Sequence, residues 1–411
     1  MSLLVSKNAI VQYLMLYVLL SFQGSVIYKL FDQWFMVFAL LCTGLFVLQK
    51  RIKINIKYTM WMLIICGLLV INHFTTNGST SLGTVGNFFS RFCIAFICIE
   101  LNREKFKERL LNIIVFIAKI NLVEFLVGLT PARIIFNFLP ALKSSGLVYH
   151  CSLFYAARVS DMSRNNGMFG EPGVYQIILN VALVILLFEN CNWLSQRKRK
   201  NYLIVLILTI LTAQSTTGYL GAMIVLGCFV FSSSEYKEKT WLKVLIVLGV
   251  ALFAVVAIYG GTDSFIYERF TSKLFGGSSG VDLSSSTGRY REISIETDLL
   301  IAAKNFWGVG TSQYKVWWAQ YVHDWTNTNG SVVGLTSSMA TYGMVCAVSM
   351  VVFLINGVWK NKSNKLHFVA MIGCIIVTVL SQPHILYAIY IALCYPNCTS
   401  SNLDDEIEYG E

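Results

Sequence analysis

The sequence contains few charged residues. Asp, Glu, Lys and Arg make up 13% of its 411 residues, which is about half of the ~25% typical of a soluble protein. Hydrophobic residues make up 55%. The charges fall in short clusters between apolar runs of about 15–24 residues, a pattern typical of a protein that crosses a membrane several times.

Several other signals are scarce or missing. Five prolines and no low-complexity tract argue against disorder. Most of the eleven cysteines lie inside apolar runs, without a CxxC pair or Cys/His zinc spacing, so we expect neither a disulfide framework nor a metal site. The sequence has no serine elbow, no P-loop and no ATP-binding module, and we expect no cofactor. The first apolar run lacks a cleavage site of small residues, which indicates an uncleaved helix rather than a signal peptide.

The apolar runs predict about twelve transmembrane helices. They cover 9–28, 32–49, 58–73, 85–101, 110–128, 173–190, 202–216, 218–234, 242–260, 334–358, 367–381 and 383–396. The last two are separated by Ser381-Gln382-Pro383-His384, which either divides two short helices or kinks one region. With the N-terminus inside, five short basic loops fall on one side, which is the cytoplasm by the positive-inside rule. The net charge of +10 therefore reflects topology rather than nucleic-acid binding.

The predicted fold is an all-α polytopic integral membrane protein with a single membrane domain over 1–411. Two long loops lie outside the cytoplasm, at 129–172 and 261–333, and an acidic cytoplasmic tail covers 397–411. The second loop is partly helical: Thr287 to Phe306 has an amphipathic pattern of Ile293, Ile295, Leu299, Leu300 and Ile301, ended by the glycines of Asn305 to Gly310. The aromatic residues from Trp307 to Trp325 suit either a segment in the membrane interface or a platform for sugar rings.

The charged residues at the mouths of the spans are the candidate site. Arg164, Arg289 and Arg291 carry a planar, permanently charged group that binds phosphate oxygens bidentately. Arg91 lies about two turns inside a span, where an arginine costs about 2.5–3.5 kcal/mol; it either faces a cavity or forms a structural pair or snorkels. Glu171 precedes Pro172 at a predicted helix start, where a carboxylate either caps the first turn or acts as a base or orients an acceptor hydroxyl.

Three stretches resemble a known family. The first is Arg-Asn-Asn-Gly-Met-Phe-Gly-Glu-Pro from Arg164 to Pro172, the second is Ala-Gln-Ser-Thr-Thr-Gly-Tyr-Leu from Ala213 to Leu220, and the third is Thr-Gly-Arg-Tyr-Arg from Thr287 to Arg291 with Trp-Gly-Val-Gly from Trp307 to Gly310. Their order and topological placement are similar to the O-antigen polymerase/ligase superfamily. The ligase branch has a histidine–asparagine pair after the large loop, which residues 329–335 lack, and Ser215-Thr216 replaces its Ser-Arg. The sequence therefore looks more like the Wzy-type polymerase branch.

The resemblance implies a glycosyltransferase-type enzyme of the bacterial inner (plasma) membrane, active on the periplasmic face. It would transfer a growing glycan from undecaprenyl pyrophosphate onto a lipid-linked repeat unit in the lipid bilayer. A chain-length regulator and a flippase are the protein partners that the resemblance implies. The expected catalytic residues are Arg164, Arg289, Arg291, Glu171 and His323. The expected substrate-binding residues are Arg91, Arg158, Arg269, Tyr290 and Trp307. A ligase that joins polymer to lipid A-core, and a lipid-linked oligosaccharide flippase, are the alternatives.

Overall fold

The computed structural model describes residues 7–49, 55–144, 147–158, 164–232, 287–322 and 330–395. Most of these residues are helical, as the sequence predicts. The helices are α1 (Lys7–Ser21), α2 (Val26–Gln49), α3 (Ile56–Thr75), α4 (Leu82–Asn102), α5 (Phe106–Gly128), α6 (Pro172–Phe188), α7 (Gln196–Ala213), α8 (Thr216–Ser232), α9 (Thr287–Lys304), α10 (Thr311–Tyr321), α11 (Gly334–Tyr342), α12 (Met344–Lys360), α13 (Lys365–Val379) and α14 (Ala388–Leu393). The predicted span 242–260 and the tail 397–411 lie outside the described residues.

Polar residues fix where many helices begin. The side chains of Asn55, Ser81, Ser195 and Asn364 each accept a hydrogen bond from a backbone N–H in the first turn of α3, α4, α7 and α13. These caps satisfy donors that have no partner within the helix. Helix α6 instead begins with Pro172, whose missing N–H is no loss at that position. These polar residues and Pro172 therefore set the first turns of five helices.

Helix α6 is the centre of the molecule. Every residue from Gly173 to Phe188 is buried, and α6 packs against α5, α7, α8 and α13. By contrast, α2 exposes an apolar stripe that runs along its length and includes Trp34, Leu41, Leu45 and Leu48. A helix that is apolar on its exposed side needs an apolar surrounding or a partner.

Two helical segments are long and apolar enough to cross a membrane by length and composition. They are Ile56–Thr75 and the 47-residue stretch Leu82–Gly128, in which α4 and α5 are joined by a short 3₁₀ turn. Six other apolar helical segments, of 10–17 residues, are shorter than that test requires. The twelve-span arrangement stays a prediction.

The predicted span 9–28 contains the end of α1 at Ser21, a turn at Gly24 with φ 98°, and the start of α2 at Val26. Two other predicted spans also differ from the observed elements. The run 334–358 is divided into α11 and α12 by Gly343, which has φ 93° and whose Cα faces the backbone of Trp307 too closely to carry a side chain. The run 383–396 contains only the six-residue helix α14, because Pro383 and the residues up to Tyr387 are not helical. Apolar composition predicted both runs but could not locate the breaks.

The first long loop is more ordered than the sequence indicated. After a 3₁₀ segment at Pro131–Phe138, strands β1 (Ala141–Ser144), β2 (Leu147–Cys151) and β3 (Ala156–Ala157) form a small antiparallel sheet in the order β1-β2-β3. Leu142 pairs with Tyr149, and Cys151 pairs with Ala156. The mostly helical chain therefore includes a β element that an all-α prediction omits.

The helix ends gather at two poles. At the first pole, the α1–α2 turn touches the end of the first loop through Val26 and Gly170, and the α3–α4 turn touches α10 through Ser79 and Ser312. At the second pole, Lys107 forms an ion pair with Glu189 at 2.6 Å, and the Ser363 hydroxyl donates to the Phe188 carbonyl. Each of these four contacts joins segments for which the sequence predicts the same side of the membrane.

Candidate functional site

A cavity of about 210 Å³ opens at the first pole. It is enclosed by the α1–α2 turn, α4, the start of α6 and the non-helical segment between α13 and α14. Its polar lining consists of Gln23, Tyr28, Lys29, Arg91, Glu171, Gln382, His384 and Tyr387. Four of these side chains can carry charge, and they come from four separate parts of the chain.

Glu171 is the residue immediately before α6. Its side chain makes no capping hydrogen bond, although its backbone carbonyl accepts from Val174 and Tyr175. Glu171 therefore occupies the N-cap position without a capping hydrogen bond from its side chain. Glu171 is exposed to solvent at the cavity. Burial by the surrounding protein nevertheless raises the pKa of its carboxyl. The charge of Lys29 and a hydrogen bond from Gln382 partly oppose that rise. A carboxyl group of this kind is suited to accept a proton from a hydroxyl.

Arg91 lies deeper in the same cavity and is 8% exposed. Its Nη1 donates to the carbonyl of Leu386 at 2.7 Å, and its Nε donates to Asn87 Oδ1 at 3.1 Å. Asn87 in turn donates to the Tyr28 hydroxyl at 2.7 Å. Both alternatives for Arg91 hold together: it faces a cavity, and it is paired with the backbone of the neighbouring segment.

Lys29 and His384 are site residues that the sequence analysis missed. Lys29 is in the first turn of α2 and is exposed, with no side-chain hydrogen bond within the described part of the chain. His384 follows Pro383 in the break between α13 and α14. The signal for His384 was a polar residue beside a proline inside an apolar region. Nothing local in the sequence pointed to Lys29.

The first motif contacts Thr212 in the last turn of α7, immediately before the second motif. The Asn165 N–H donates to the Thr212 carbonyl at 2.9 Å, and Asn165 Nδ2 donates to the Thr212 hydroxyl at 3.2 Å. Arg164 therefore lies beside the end of α7, next to the second motif. Gln214 at that end has φ 47°, and the Ser215 hydroxyl bonds the Thr217 hydroxyl at 3.0 Å.

Arg158 lies in the same area. Burial raises the pKa of Tyr149, and the charges of Arg158 and Glu171 act on that hydroxyl in opposite directions. Both side chains are thus near Tyr149, which also packs against Gly170. The first loop therefore brings Arg158 towards the edge of the cavity that Glu171 lines.

The third motif is only partly described. The backbone of Arg289 and Tyr290 belongs to α9, but their side chains, and all of Arg269 and His323, lie outside the described residues. Arg291 is half-buried, and burial lowers the pKa of its guanidinium. Its Nε has no hydrogen-bond partner among the described residues.

Helix α9 is connected to the cavity through α11. Asp298 of α9 accepts a hydrogen bond from the Thr336 hydroxyl at 2.7 Å. Two residues earlier, Gly334 packs so closely against the carbonyls of Gln382 and His384 that a Cβ there would lie 2.5 and 2.9 Å from them. The helix that carries Arg291 is thus anchored to the segment that lines the cavity.

The predicted face of α9 needs correction. Leu299 and Leu300 are 46% and 50% exposed, whereas Ser294, Thr297, Asp298 and Ile301 are buried. The buried face of α9 is fixed by two contacts. Asp298 accepts hydrogen bonds from Tyr314 and Thr336, and Ile301 packs in one cluster with Val309 and Trp318. The helix itself is confirmed by α9.

Trp307 does not line the cavity. Its side chain is 45% exposed, and its backbone carbonyl accepts from Asn72 Nδ2. The glycines that follow it have a structural reason, because Gly308 and Gly310 have φ 80° and 79° and neither has room for a Cβ. Val309 and Gly310 donate to the carbonyls of Ala340 and Thr341, both at 2.9 Å. The Gly-Val-Gly pattern therefore fastens the loop to the α11–α12 break.

The site combines cations with one carboxylate in a small enclosed volume. Lys29 and Arg91 can hold an anion, and Glu171 can accept a proton beside it. Among the described residues, no group of three or more His, Cys, Asp or Glu side chains could hold a metal ion. No family model, no curated protein and no solved structure matches the chain.

Proposed function

We propose that the chain is a polytopic inner-membrane polysaccharide polymerase that works at the periplasmic face. It transfers a growing glycan from undecaprenyl pyrophosphate onto a lipid-linked repeat unit. The observation that carries the proposal is the meeting of Glu171, from the first motif, with Lys29, Arg91 and His384 in one cavity. That cavity is formed by the helix ends that the basic loops predict to be extracytoplasmic.

The division of roles follows from the chemistry of these groups. The leaving pyrophosphate already carries the driving force, so the protein must neutralise charge and activate a hydroxyl. Arg91 and Lys29 stabilise negative charge as the sugar–phosphate bond breaks. Glu171, with its raised pKa, takes the proton of the acceptor hydroxyl. Arg164, at the other end of the first motif from Glu171, and Arg291, on α9, bind the parts of the pyrophosphates outside this small cavity.

Membrane placement is supported by two features. The apolar stripes exposed on α2 and α3 suit a lipid surrounding. In addition, the predicted cytoplasmic and extracytoplasmic helix ends separate at opposite poles, with Lys107, Glu189 and Ser363 in contact at one of them.

A test is reconstitution of the purified chain with lipid-linked repeat units. The wild-type protein lengthens the glycan without another protein, and Glu171→Gln, which keeps the size of the side chain but cannot take a proton, reduces elongation by about 100-fold or more. The control is Glu296→Gln, an exposed carboxylate on α9. Elongation by Glu171→Gln at the wild-type rate would remove this carboxylate from the reaction.

The flippase alternative has one observation in its favour. The segment from Leu380 to Tyr387 interrupts the helices beside the cavity, and interrupted helices are common at transporter binding sites. A flippase would move substrate across the vesicle membrane without lengthening it. A ligase differs genetically, since its loss leaves lipid A-core bare, whereas loss of a polymerase leaves single repeat units on the core.

A further inference from the structure

A second, larger cavity of about 390 Å³ lies at the second pole, on the opposite side of the molecule from the candidate site. It is a cleft between α3, α12 and the end of α14. Trp61 and Phe353 form one wall, with ring centroids 6.0 Å apart. Gly357 forms part of the floor, where its lack of a side chain lets Cys394 approach.

The mouth of this cleft is basic. Lys57 and Lys360 both line it and both are exposed, and the amides of Asn55 and Asn356 lie beside them. No acidic residue is among the described lining residues. Neither lysine makes an ion pair within the described parts of the chain, and Lys50, Arg51 and Lys53 precede α3 in the sequence. The cleft is thus complementary to an anion.

The other end of the cleft is apolar and open at the side. Next to Trp61, α3 exposes Met60 and Ile64, and next to Phe353, α12 exposes Val352. Ile64 and Val352 are further along their helices from Lys57 and Lys360 than the cleft-lining Trp61 and Phe353 are. A ligand that fits this shape has a negatively charged head and a hydrocarbon tail.

We propose that this cleft binds an anionic phospholipid of the cytoplasmic leaflet. The phosphate lies between Lys57 and Lys360, and one acyl chain lies along Trp61 and Phe353. Basic pockets between helices on the cytoplasmic side are suited to such head groups, and each lysine near the surface contributes attraction. The proposal rests on the membrane placement given above but not on polymerase activity, so its test does not involve polymerisation.

The experiment measures lipid binding to the purified full chain in neutral detergent by native mass spectrometry. Phosphatidylglycerol, phosphatidylcholine and inorganic phosphate are titrated separately. Phosphatidylglycerol binds tightest, and Lys57→Ala with Lys360→Ala weakens it roughly 30-fold, from two lysine contributions. The matched control removes two exposed lysines of the same pole outside the cleft, Lys105→Ala with Lys365→Ala, and changes binding less than two-fold.

A second variant guards against a folding defect. Asn356→Trp fills the cleft without changing charge, and we expect it to lose phosphatidylglycerol binding while Lys57→Arg with Lys360→Arg retains it. Equal binding of phosphatidylcholine, unchanged binding by the double alanine variant, or competition by inorganic phosphate at the same concentration would each overturn the lipid assignment.

Discussion

Asp298 gives the sharpest prediction because it is a fully buried carboxyl group at the junction of three helices. It accepts hydrogen bonds from the Tyr314 hydroxyl at 2.5 Å and from the Thr336 hydroxyl at 2.7 Å. The Ser331 N–H donates to the same Tyr314 oxygen at 3.1 Å. Burial raises the pKa of Asp298 from 3.8 to about 6, and the hydroxyl donors only partly oppose this.

The sign of the pH dependence follows from this shift. Because the folded protein holds the proton more tightly than the unfolded chain, the free energy of unfolding is highest below pH 3.8, falls as the pH rises towards 6, and then levels off. A shift of about two pKa units corresponds to roughly 3 kcal/mol. The contact that weakens as the pH rises is the packing of α9 and α10 on α11.

The perturbation is Asp298→Asn, which keeps the size of the side chain and removes the titration. We expect the variant to gain about 3 kcal/mol relative to wild type between pH 4 and pH 7. The assay is denaturant unfolding in detergent followed by tryptophan fluorescence, since Trp318 is 1% exposed and lies 6.1 Å from Tyr314. Glu296→Gln, exposed on the same helix, is the control and leaves the wild-type pH dependence unchanged.

Two results would refute this reasoning. Parallel pH curves for wild type and Asp298→Asn would mean that another group titrates. Wild-type stability that rises between pH 4 and 6 would mean that the two hydroxyl donors, rather than burial, control the pKa of Asp298.

Three other changes follow from contacts already described. Gly308→Ala should lower the thermal midpoint of unfolding, because Gly308 has φ 80° and an added Cβ would lie 2.5 Å from backbone atoms of the α11–α12 break. The control is Gly67→Ala, which has open space around it and should leave the midpoint unchanged. Arg91→Met should cost about 1–3 kcal/mol of stability, because it leaves the Leu386 carbonyl without its donor. Arg289→Ala should abolish chain elongation while the protein still inserts, and surface polymer of normal length would exclude Arg289 from the site.

The sequence predicted helices better than it predicted how they end and meet. Long apolar runs are local signals, so α3 to α6 and α8 lie close to their predicted positions, whereas α1, α2 and α7 each differ by six or seven residues at one end. The break at Gly343 depends on the approach of Trp307, and the pairing of β1 with β2 depends on a turn in a polar loop. Both result from contacts that an apolar pattern does not record.

The candidate site shows the same limit. Glu171 was predicted because the residues around it form a recognisable stretch at a helix start. Lys29 is 142 positions away from it in the sequence and His384 is 213 positions further on, so no spacing rule connects the three. Only the packing of the helix ends at the first pole brings them to one cavity.

Arg91 explains why that cavity lies beside the non-helical segment between α13 and α14. An arginine inside an apolar helix is costly, and so is a carbonyl of non-helical backbone surrounded by apolar side chains. The bond from Arg91 Nη1 to the Leu386 carbonyl satisfies both groups at once, and Asn87 takes a second donor of the same guanidinium. With α14 shortened to six residues, the extended segment before it leaves room for Gln382 and His384 to face Glu171. The break is therefore what creates the cavity, and the buried charge is what makes the break tolerable.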